Sequence, residues 1–275
     1  MSQYEQYDVT SDSYDRTRQP VGLEVVLGAL LLGPRPLAAQ RVLELGCGTG
    51  NYLAAVADHV GASVGVDMSR GMLRQAAGKL EGRGRTGLLR VCLPELPFAA
   101  GAFDAVTCFQ VVHHLPADDG FAALGTLLRQ AARVLRPGGR LVLNTCTDPQ
   151  LVDGYWYYAI FPEARDRVRA RYAPVARLRE LLDAAGFDEV REIAPLDAVL
   201  QGPAYSDPDG PRHQAWRHGD SGFALLEPPE LEAGLARLRA LRGKGWDAWM
   251  AERELRRQGV GQSSFFLGTL SPREP

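Results

Sequence analysis

The 275-residue sequence predicts an α/β fold in which a mostly parallel sheet carries helices on both faces. The first observation behind this prediction is a glycine-rich turn within Val42 to Tyr52, which joins a short apolar run to a segment with helical periodicity. The second is that strand-like and helix-like segments go on alternating as far as Cys146, after which the pattern changes. Such alternation is typical of parallel strands connected by helices.

The glycine-rich turn lies between a predicted strand and a predicted helix. Arg41 to Leu45 is a short apolar run, as expected for a buried strand. Tyr52 to Val60 repeats apolar residues at helical spacing, and Gly61 is predicted as the C-cap of that helix. The apolar face of this helix is predicted to contain Leu53, Val56, Ala57 and Val60.

The turn and the strand that follows it predict a nucleoside site. Gly46, Gly48 and Gly50 remove every second Cβ from the turn, so the backbone can bend sharply and approach a ligand. Ser63 to Val66 reads as the next parallel strand, and Asp67 follows at its carboxyl end, where open α/β sheets bind ligands. A carboxylate at that position can accept both hydroxyls of a ribose.

The spacing of the glycines argues against a nicotinamide dinucleotide. Such sites use G-x-G-x-x-G, with the helix N-terminus facing a pyrophosphate. This chain has G-x-G-x-G, with the acidic Glu44 two residues before the first glycine. A carboxylate near the turn disfavours a pyrophosphate and favours a cation or an ammonium group.

These segments resemble the class I S-adenosylmethionine-dependent methyltransferases, in particular the type found in ubiquinone and menaquinone biosynthesis. Three later segments are similar to the family's fourth-strand entry, the segment after it and its fifth strand: Leu96 to Val106, Val111 to Leu115 and Leu135 to Leu143. Four segments in the family's order form a specific signal. The resemblance implies a Rossmann-like seven-stranded sheet with the last strand antiparallel, and S-adenosyl-L-methionine as cofactor with S-adenosyl-L-homocysteine as product.

The resemblance also implies a set of cofactor-binding residues, which are Tyr14, Arg18, Glu44, Gly46, Cys47, Gly48, Gly50, Asp67, Met68, Cys92, Leu93, Pro94 and Gln110. Tyr14 to Arg18 is similar to a segment that folds over the cofactor as a lid, although its polar composition also fits a disordered tail. The family often has an acidic residue where Cys92 stands. We therefore expect the Leu93 backbone and apolar contacts to hold the adenine. No metal ligands are predicted.

The chain is expected to have four segments, which are an N-terminal lid and helix (1–36), the cofactor-binding core (37–147), a substrate-side insertion and helix (148–187) and the last strands (188–275). Helices are predicted over residues 70–80, over a stretch capped by Asp118 or Asp119 and ended by Pro137 to Gly139, and over Pro174 to Ala185. Asp188 to Ile193 and Ser263 to Leu270 are the predicted last strands.

A long insertion separates the last two strands. At about seventy residues it far exceeds a simple connection, and it is expected to form a helical cap over about residues 195–260. Gly202 to Gly222 is loop-like, whereas Pro229 to Leu241 is amphipathic. The cap either builds the substrate pocket or adds only stability or a dimer surface.

An aromatic run, Tyr155 to Phe161, precedes the cap and has two interpretations. It can wall a flat or cationic acceptor by stacking and cation–π contact, or it can anchor the cap to the sheet. A single helix is not expected to point all five aromatic side chains inward. The substrate-binding candidates are Tyr155, Trp156 and Tyr158 from this run, and His213 and Trp216 from the cap loop. For the two cap-loop residues a solvated loop is the favoured explanation.

Few catalytic residues are needed, because methyl transfer from a sulfonium is an in-line displacement in which the protein mainly orients the partners and excludes water. A general base is required only where the acceptor must lose a proton. The candidates are His113, His114 and Tyr14; structural packing is the alternative for the histidine pair. Gln110 is expected to contact the methionine end of the cofactor or the substrate.

The composition limits the partners. A formal net charge of −2 does not favour nucleic acid, whose phosphates require a basic face. Val21 to Leu32 is apolar but too short to span a membrane. The four cysteines form no C-x-x-C pair, and we expect reduced thiols in a cytoplasmic protein. A homodimer stays open.

The leading hypothesis is an enzyme that methylates a small molecule of secondary or quinone-like metabolism on oxygen, nitrogen or carbon. A macromolecule methyltransferase is one alternative, although the N/D-P-P-Y/F element is missing after the fourth strand, where Phe109 to Val112 stands. The other is a domain that retains the cofactor and has a non-methylating activity.

Overall fold

The computed structural model of the chain describes Asp15, residues 18–243 and residues 245–271. Within these residues seven strands form one sheet: β1 (Arg41–Leu45), β2 (Ala62–Asp67), β3 (Thr86–Arg90), β4 (Phe103–Phe109), β5 (Leu135–Thr145), β6 (Phe187–Ile193) and β7 (Ser264–Leu270). Their order across the sheet is β3-β2-β1-β4-β5-β7-β6, and β7 runs antiparallel to both of its neighbours. The predicted Rossmann-like, mostly parallel sheet is confirmed.

The helices connect the strands or form the cap. They are α1 (Leu23–Leu31), α2 (Asn51–Ala57), α3 (Arg70–Leu80), α4 (Ala122–Val134), α5 (Asp148–Asp153), α6 (Trp156–Ile160), α7 (Pro162–Arg169), α8 (Val175–Ala184), α9 (Gln214–Arg217), α10 (Pro228–Arg242) and α11 (Trp246–Val260). The last three lie between β6 and β7, where the insertion was predicted.

Alternation along the strands places helices on both faces of the sheet. In β1, Val42 joins a buried cluster with Val26 of α1 and Val56 of α2. The next residue, Leu43, belongs to a second cluster that contains α4 and α8 side chains. The strand order turns around between β1 and β4, so the cleft at the carboxyl edge opens there, which is where folds of this kind bind ligands.

Two predicted helix ends are wrong. The helix after the glycine turn ends at Ala57, and Gly61 does not adopt the left-handed conformation of a C-cap. A Cβ at Gly61 would lie 2.6 Å from the Ala38 carbonyl oxygen, so close backbone packing accounts for this glycine. Helix α4 ends at Val134, because the chain passes directly into β5 before it reaches Pro137.

All five rings of the aromatic run are buried, although no single helix carries them all. Tyr155, Trp156, Tyr157, Tyr158 and Phe161 are each at most 4% exposed. The run forms only the short helix α6 and its flanks. Cap residues, including Trp216, Phe223 and Leu238, pack around it and form one hydrophobic cluster with it, separate from the clusters on the sheet. Because the cap packs around this segment, all five rings are buried together.

Candidate active site

The carboxyl end of β2 and the glycine turn form one hydrogen-bonded unit. Asp67 Oδ2 accepts the Gly48 backbone N–H at 2.9 Å, and Oδ1 accepts that of Ser69 at 2.8 Å. The Ser69 hydroxyl in turn accepts from Met72 N and caps α3. The aspartate is therefore held in a fixed orientation beside the turn.

The three glycines of the turn have different roles. Gly46, Gly48 and Gly50 all have positive φ, which favours glycine at each position. A Cβ at Gly46 would lie 2.4 Å from the Val111 side chain, and one at Gly50 would lie 3.0 Å from Ala76. At Gly48 a Cβ would meet nothing within 4 Å. Gly48 is thus the glycine that borders open space, where a ligand can approach the backbone.

Three neighbouring cavities meet at this edge of the sheet. The first, the nucleoside cavity, has about 720 Å³ of empty space and is lined by Gly46, Gly48, Asp67, Met68, Met72, Val91, Cys92, Leu93, Phe109, Gln110, Val111, His114 and Leu115. The second, the loop cavity, lies around the glycine turn and is lined by residues that include Arg18, Glu44, Cys47, Thr49 and Asn51. The third, which we call the acceptor cavity, has about 470 Å³ of empty space. It lies on the cap side and is lined by residues that include Tyr155, Tyr158, Tyr172 and Asp220.

Gln110 lines all three cavities. It follows β4 directly and has a φ of +54°, an uncommon conformation for a residue with a side chain. Its backbone N–H donates to the Asn144 carbonyl at 3.0 Å, and its Nε2 donates to Asn144 Oδ1 at 2.8 Å. These two bonds to β5 hold the residue at the junction.

Glu44 is a buried carboxyl group on the wall of the loop cavity. It is 4% exposed. Burial raises its pKa well above its ordinary value, and the charge of Asp67 raises the pKa further. Two acidic side chains thus lie near the glycine turn, and this arrangement favours a cationic ligand.

The histidine pair lies between the nucleoside and acceptor cavities. His113 is 4% exposed, and its ring stacks on Tyr172 with 4.7 Å between ring centroids. Among the described residues, the buried His113 Nδ1 has no hydrogen-bond partner. Burial lowers the pKa of His113 well below its ordinary value, and the charges of His114, Arg18 and Arg171 lower it further. The imidazole is therefore neutral near pH 7 and retains a lone pair.

The acceptor cavity is lined mainly by polar side chains. They come from Arg18, Gln110, His113, His114, Tyr155, Tyr158, Tyr172, His218, Asp220 and Ser221. Of the described residues that line it, only Leu151 and Val168 supply aliphatic side chains. Such a cavity suits a ligand that can form hydrogen bonds.

Asp220 organises one wall of this cavity. Its carboxylate accepts hydrogen bonds from the hydroxyls of Tyr157 and Tyr158, the latter at 2.7 Å, and from the Gly222 backbone N–H at 2.9 Å. Arg18 Nη2 lies 3.8 Å from the same carboxylate. A cap aspartate thus orients two tyrosines of the aromatic run and lies close to an arginine near the N-terminus.

Not all of the predicted site residues lie at the cavities. Tyr14 is outside the described residues. Trp156 is fully buried and donates its indole N–H to the Tyr205 carbonyl, and Trp216 is buried beside it, so neither lines any of the three cavities. His213 is exposed, because it lies on the outer side of the cap. Gly50 and Pro94 adjoin the cavities without lining them.

The remaining predicted residues are brought together, and the structure adds others that the sequence did not single out. Asp220, Tyr172, Cys146 and Val111 line the cavities. Asp220 had no local signal, because it lies in a loop far along the chain from its partners. Within residues 18–243 and 245–271, together with Asp15, no group of three or more His, Cys, Asp or Glu side chains is arranged to hold a metal ion.

Comparison with known proteins identifies the family. Residues 43–143 match the family described as Methyltransferase domain. The nocamycin O-methyltransferase of Saccharothrix syringae is 31% identical over 230 residues, which cover 75% of this chain and 78% of that protein. The chain belongs to the class I S-adenosylmethionine-dependent methyltransferases.

Two further similarities extend over most of the methyltransferase. The demethylmenaquinone methyltransferase of Clavibacter sepedonicus is 28% identical over 241 residues, 84% of this chain and 86% of that protein. The crystal structure of an Anabaena variabilis protein, described as a methyltransferase from an antibiotic biosynthesis pathway, superposes with a TM-score of 0.73 at 24% identity and covers 93% of this chain and 100% of that one. This last similarity concerns the fold alone.

Proposed function

We propose that the methyltransferase transfers the methyl group of S-adenosylmethionine to a compact polar small molecule in the acceptor cavity. The observation that carries this proposal is the shared wall: Gln110 and His114 line both the nucleoside cavity and the acceptor cavity. Two ligands in these cavities would therefore meet at that wall, as an in-line displacement requires.

The residues of the cleft fit S-adenosylmethionine. The open space at Gly48 admits a ligand against the backbone. Asp67 lines the same cavity, where its carboxylate can accept the hydroxyls of a ribose. The buried Glu44 in the loop cavity suits the cationic methionine end. When bound, S-adenosylmethionine supplies a methyl group already activated by a sulfonium leaving group.

The neutral His113 is the proposed base where the acceptor carries a proton. Its buried Nδ1 lacks a hydrogen-bond partner among the described residues, and the residue lines the acceptor cavity. A lone pair of the acceptor oxygen or nitrogen would form the new bond to carbon as the carbon–sulfur bond breaks and S-adenosylhomocysteine leaves, and the proton of that hydroxyl or amine would pass to His113 Nδ1. Tyr155 and Tyr158 would orient the acceptor, since both hydroxyl-bearing rings line the cavity.

The polarity of the cavity favours a polar acceptor over a prenylated quinone. A demethylmenaquinone, the substrate in the name of one relative, carries a long apolar chain. Burying polar side chains against that chain would cost their hydrogen bonds. A methylated oxygen agrees with the O-methyltransferase among the relatives, and we place the acceptor in secondary metabolism.

No helix in the described ranges is both long and apolar enough to cross a membrane. The cytoplasmic location, the homodimer and the four-segment division remain predictions.

Transfer of labelled methyl groups tests the proposal. The purified protein would be incubated with methyl-labelled S-adenosylmethionine and, separately, with a low-mass polar metabolite fraction, an apolar lipid fraction, RNA and protein. We expect label in the polar fraction together with S-adenosylhomocysteine. Label confined to RNA or protein would reject a small-molecule acceptor, and label in the lipid fraction would reject a polar one. A product formed without S-adenosylhomocysteine would favour a non-methylating activity.

A further inference from the structure

A chain of buried amides begins at the backbone of β7. Asn144 of β5 is fully buried, and its Nδ2 donates to Ser263 Oγ at 3.0 Å and to the Ser264 carbonyl oxygen at 3.3 Å. A backbone carbonyl can only accept a hydrogen bond, so the nitrogen of the Asn144 amide must face Ser264. The Asn144 Oδ1 consequently faces the opposite way, towards Gln110.

The orientation of the Gln110 amide follows from that of Asn144. Asn144 Oδ1 only accepts, so Gln110 must present its Nε2 there, and the two atoms are 2.8 Å apart. Gln110 Oε1 then faces the acceptor cavity, where the Tyr172 hydroxyl donates to it at 3.3 Å and the Cys146 thiol at 3.6 Å. The Tyr172 hydroxyl can donate to an oxygen at that position, and the contact with Asn144 Oδ1 is what fixes the orientation of the Gln110 amide.

The orientation matters because Gln110 lies where the three cavities meet. An amide oxygen attracts a cation, whereas an amide NH₂ repels it. We propose that Asn144 is a positioning residue that holds the Gln110 oxygen towards the reaction centre, and so raises the affinity of the cleft for the cationic S-adenosylmethionine relative to the neutral thioether S-adenosylhomocysteine. This inference rests on the proposed function for the location of the cofactor.

Calorimetry of Asn144→Leu tests the inference without an acceptor. The substitution keeps the approximate volume but removes the group that orients Gln110. We expect the ratio of the S-adenosylhomocysteine Kd to the S-adenosylmethionine Kd to fall about tenfold, because only the sulfonium loses a charge–dipole attraction to the oriented amide oxygen. A purely structural role would weaken both ligands equally, and an unchanged ratio would overturn the inference.

Thr107→Val is the matched control. Thr107 is a polar residue of the adjacent strand β4, 1% exposed, whose hydroxyl lies 3.5 Å from the Leu43 carbonyl. The Thr107→Val substitution is the same kind of polar-to-apolar change within the sheet, but the Thr107 hydroxyl is bonded to Leu43 and not to Gln110. We expect the ratio of the two Kd values to stay within about twofold of the wild-type ratio. A fall as large as that of Asn144→Leu would overturn the inference, because any buried change would then suffice.

Substitutions of Gln110 supply a second, independent test. A carboxylate presents oxygen in either orientation, so Gln110→Glu should raise the ratio of the two Kd values, and adding Asn144→Leu should no longer lower it. If Asn144→Leu fails to fold, the two Gln110 variants decide the question. Gln110→Glu should raise the ratio of the two Kd values above that of the wild type, and Gln110→Met should lower it. Equal ratios would overturn the inference. A wild-type protein that binds neither nucleoside would instead refute the proposed function itself.

Discussion

The Tyr158 hydroxyl donates a hydrogen bond of 2.7 Å to the Asp220 carboxylate, although 62 residues separate the two along the chain. This bond joins the aromatic run before β6 to the cap loop after it. Since both residues line the acceptor cavity, the cavity has its full wall only when the cap is folded against the aromatic run. The structure therefore couples the stability of the cap to the shape of the site.

Asp220→Asn should destabilise the protein. Two tyrosine hydroxyls donate to this carboxylate, and an amide NH₂ cannot accept from either, so one buried hydroxyl loses its partner. We expect the free energy of unfolding to fall by about 1–3 kcal/mol in urea titrations. Asp209→Asn is the control, because that aspartate lies in the same cap but is paired with Arg212 and Arg242 near the surface, and a loss below about 1 kcal/mol is expected. Equal losses would contradict the role given to Asp220.

Gly234→Ala should also destabilise the cap. A Cβ at Gly234 of α10 would lie 2.1 Å from the Phe161 ring, which is fully buried and cannot move aside. We expect a loss of about 2–3 kcal/mol in the free energy of unfolding. Gly28→Ala in α1 meets nothing within 4 Å and should instead stabilise the protein by up to about 1 kcal/mol. Thermal or urea unfolding of the pair measures both signs.

Asp67→Ala should abolish most cofactor affinity. The substitution would remove the carboxylate that can accept two ribose hydroxyls, and the Gly48 N–H would lose the acceptor that now holds it at 2.9 Å. We expect the Kd for S-adenosylhomocysteine to rise about 100-fold in calorimetry. Asp58→Ala removes an exposed carboxylate that is paired with Arg83 at 2.8 Å, and it should leave that Kd unchanged. An unchanged Kd for Asp67→Ala would remove the basis of the nucleoside site.

Cofactor binding should release a proton from Glu44. Burial raises the pKa of this carboxyl, so it keeps its proton to a higher pH than an ordinary carboxyl does, and a nearby cation favours the ionised form. Affinity for S-adenosylmethionine should then rise with pH, because binding is coupled to proton loss. Calorimetry at about pH 7 in buffers of different ionisation enthalpy measures the released protons. Glu44→Gln should reduce that number; the same release in both proteins would assign the proton to another group.

Loss of the His113 imidazole should slow turnover and spare cofactor binding. A general base contributes about 100-fold or more, so His113→Gln should lower kcat by at least about that factor while the Kd for S-adenosylmethionine stays within about twofold. Because the pKa of His113 is depressed, protonation should not reduce wild-type activity between about pH 6 and about pH 8. His59→Gln, at an exposed position after α2, is the control. A full kcat in His113→Gln would leave the histidine with a packing role.

Local patterns in the sequence determined the sheet and the position of the glycine turn and Asp67 at its edge. The alternating strands and helices, Gly46, Gly48 and Gly50 in the turn, and Asp67 at the end of β2 all follow from short-range periodicity and from the rule that parallel strands end at one edge. Even the helix over residues 70–80 has the predicted bounds. Errors of a few residues occurred at Gly61 and Pro137, where tertiary packing decides the helix end.

The way in which the residues of the acceptor cavity come together was decided by tertiary structure. The burial of five neighbouring aromatic rings requires the cap to pack around α6, and no periodicity within the run encodes that. The meeting of Asp220 with Tyr158, and of Asn144 with Gln110, depends on contacts between distant segments. A sequence shows which side chains a chain carries, but hydrogen-bond partners across elements exist only once the packing of those elements has fixed their distance and direction.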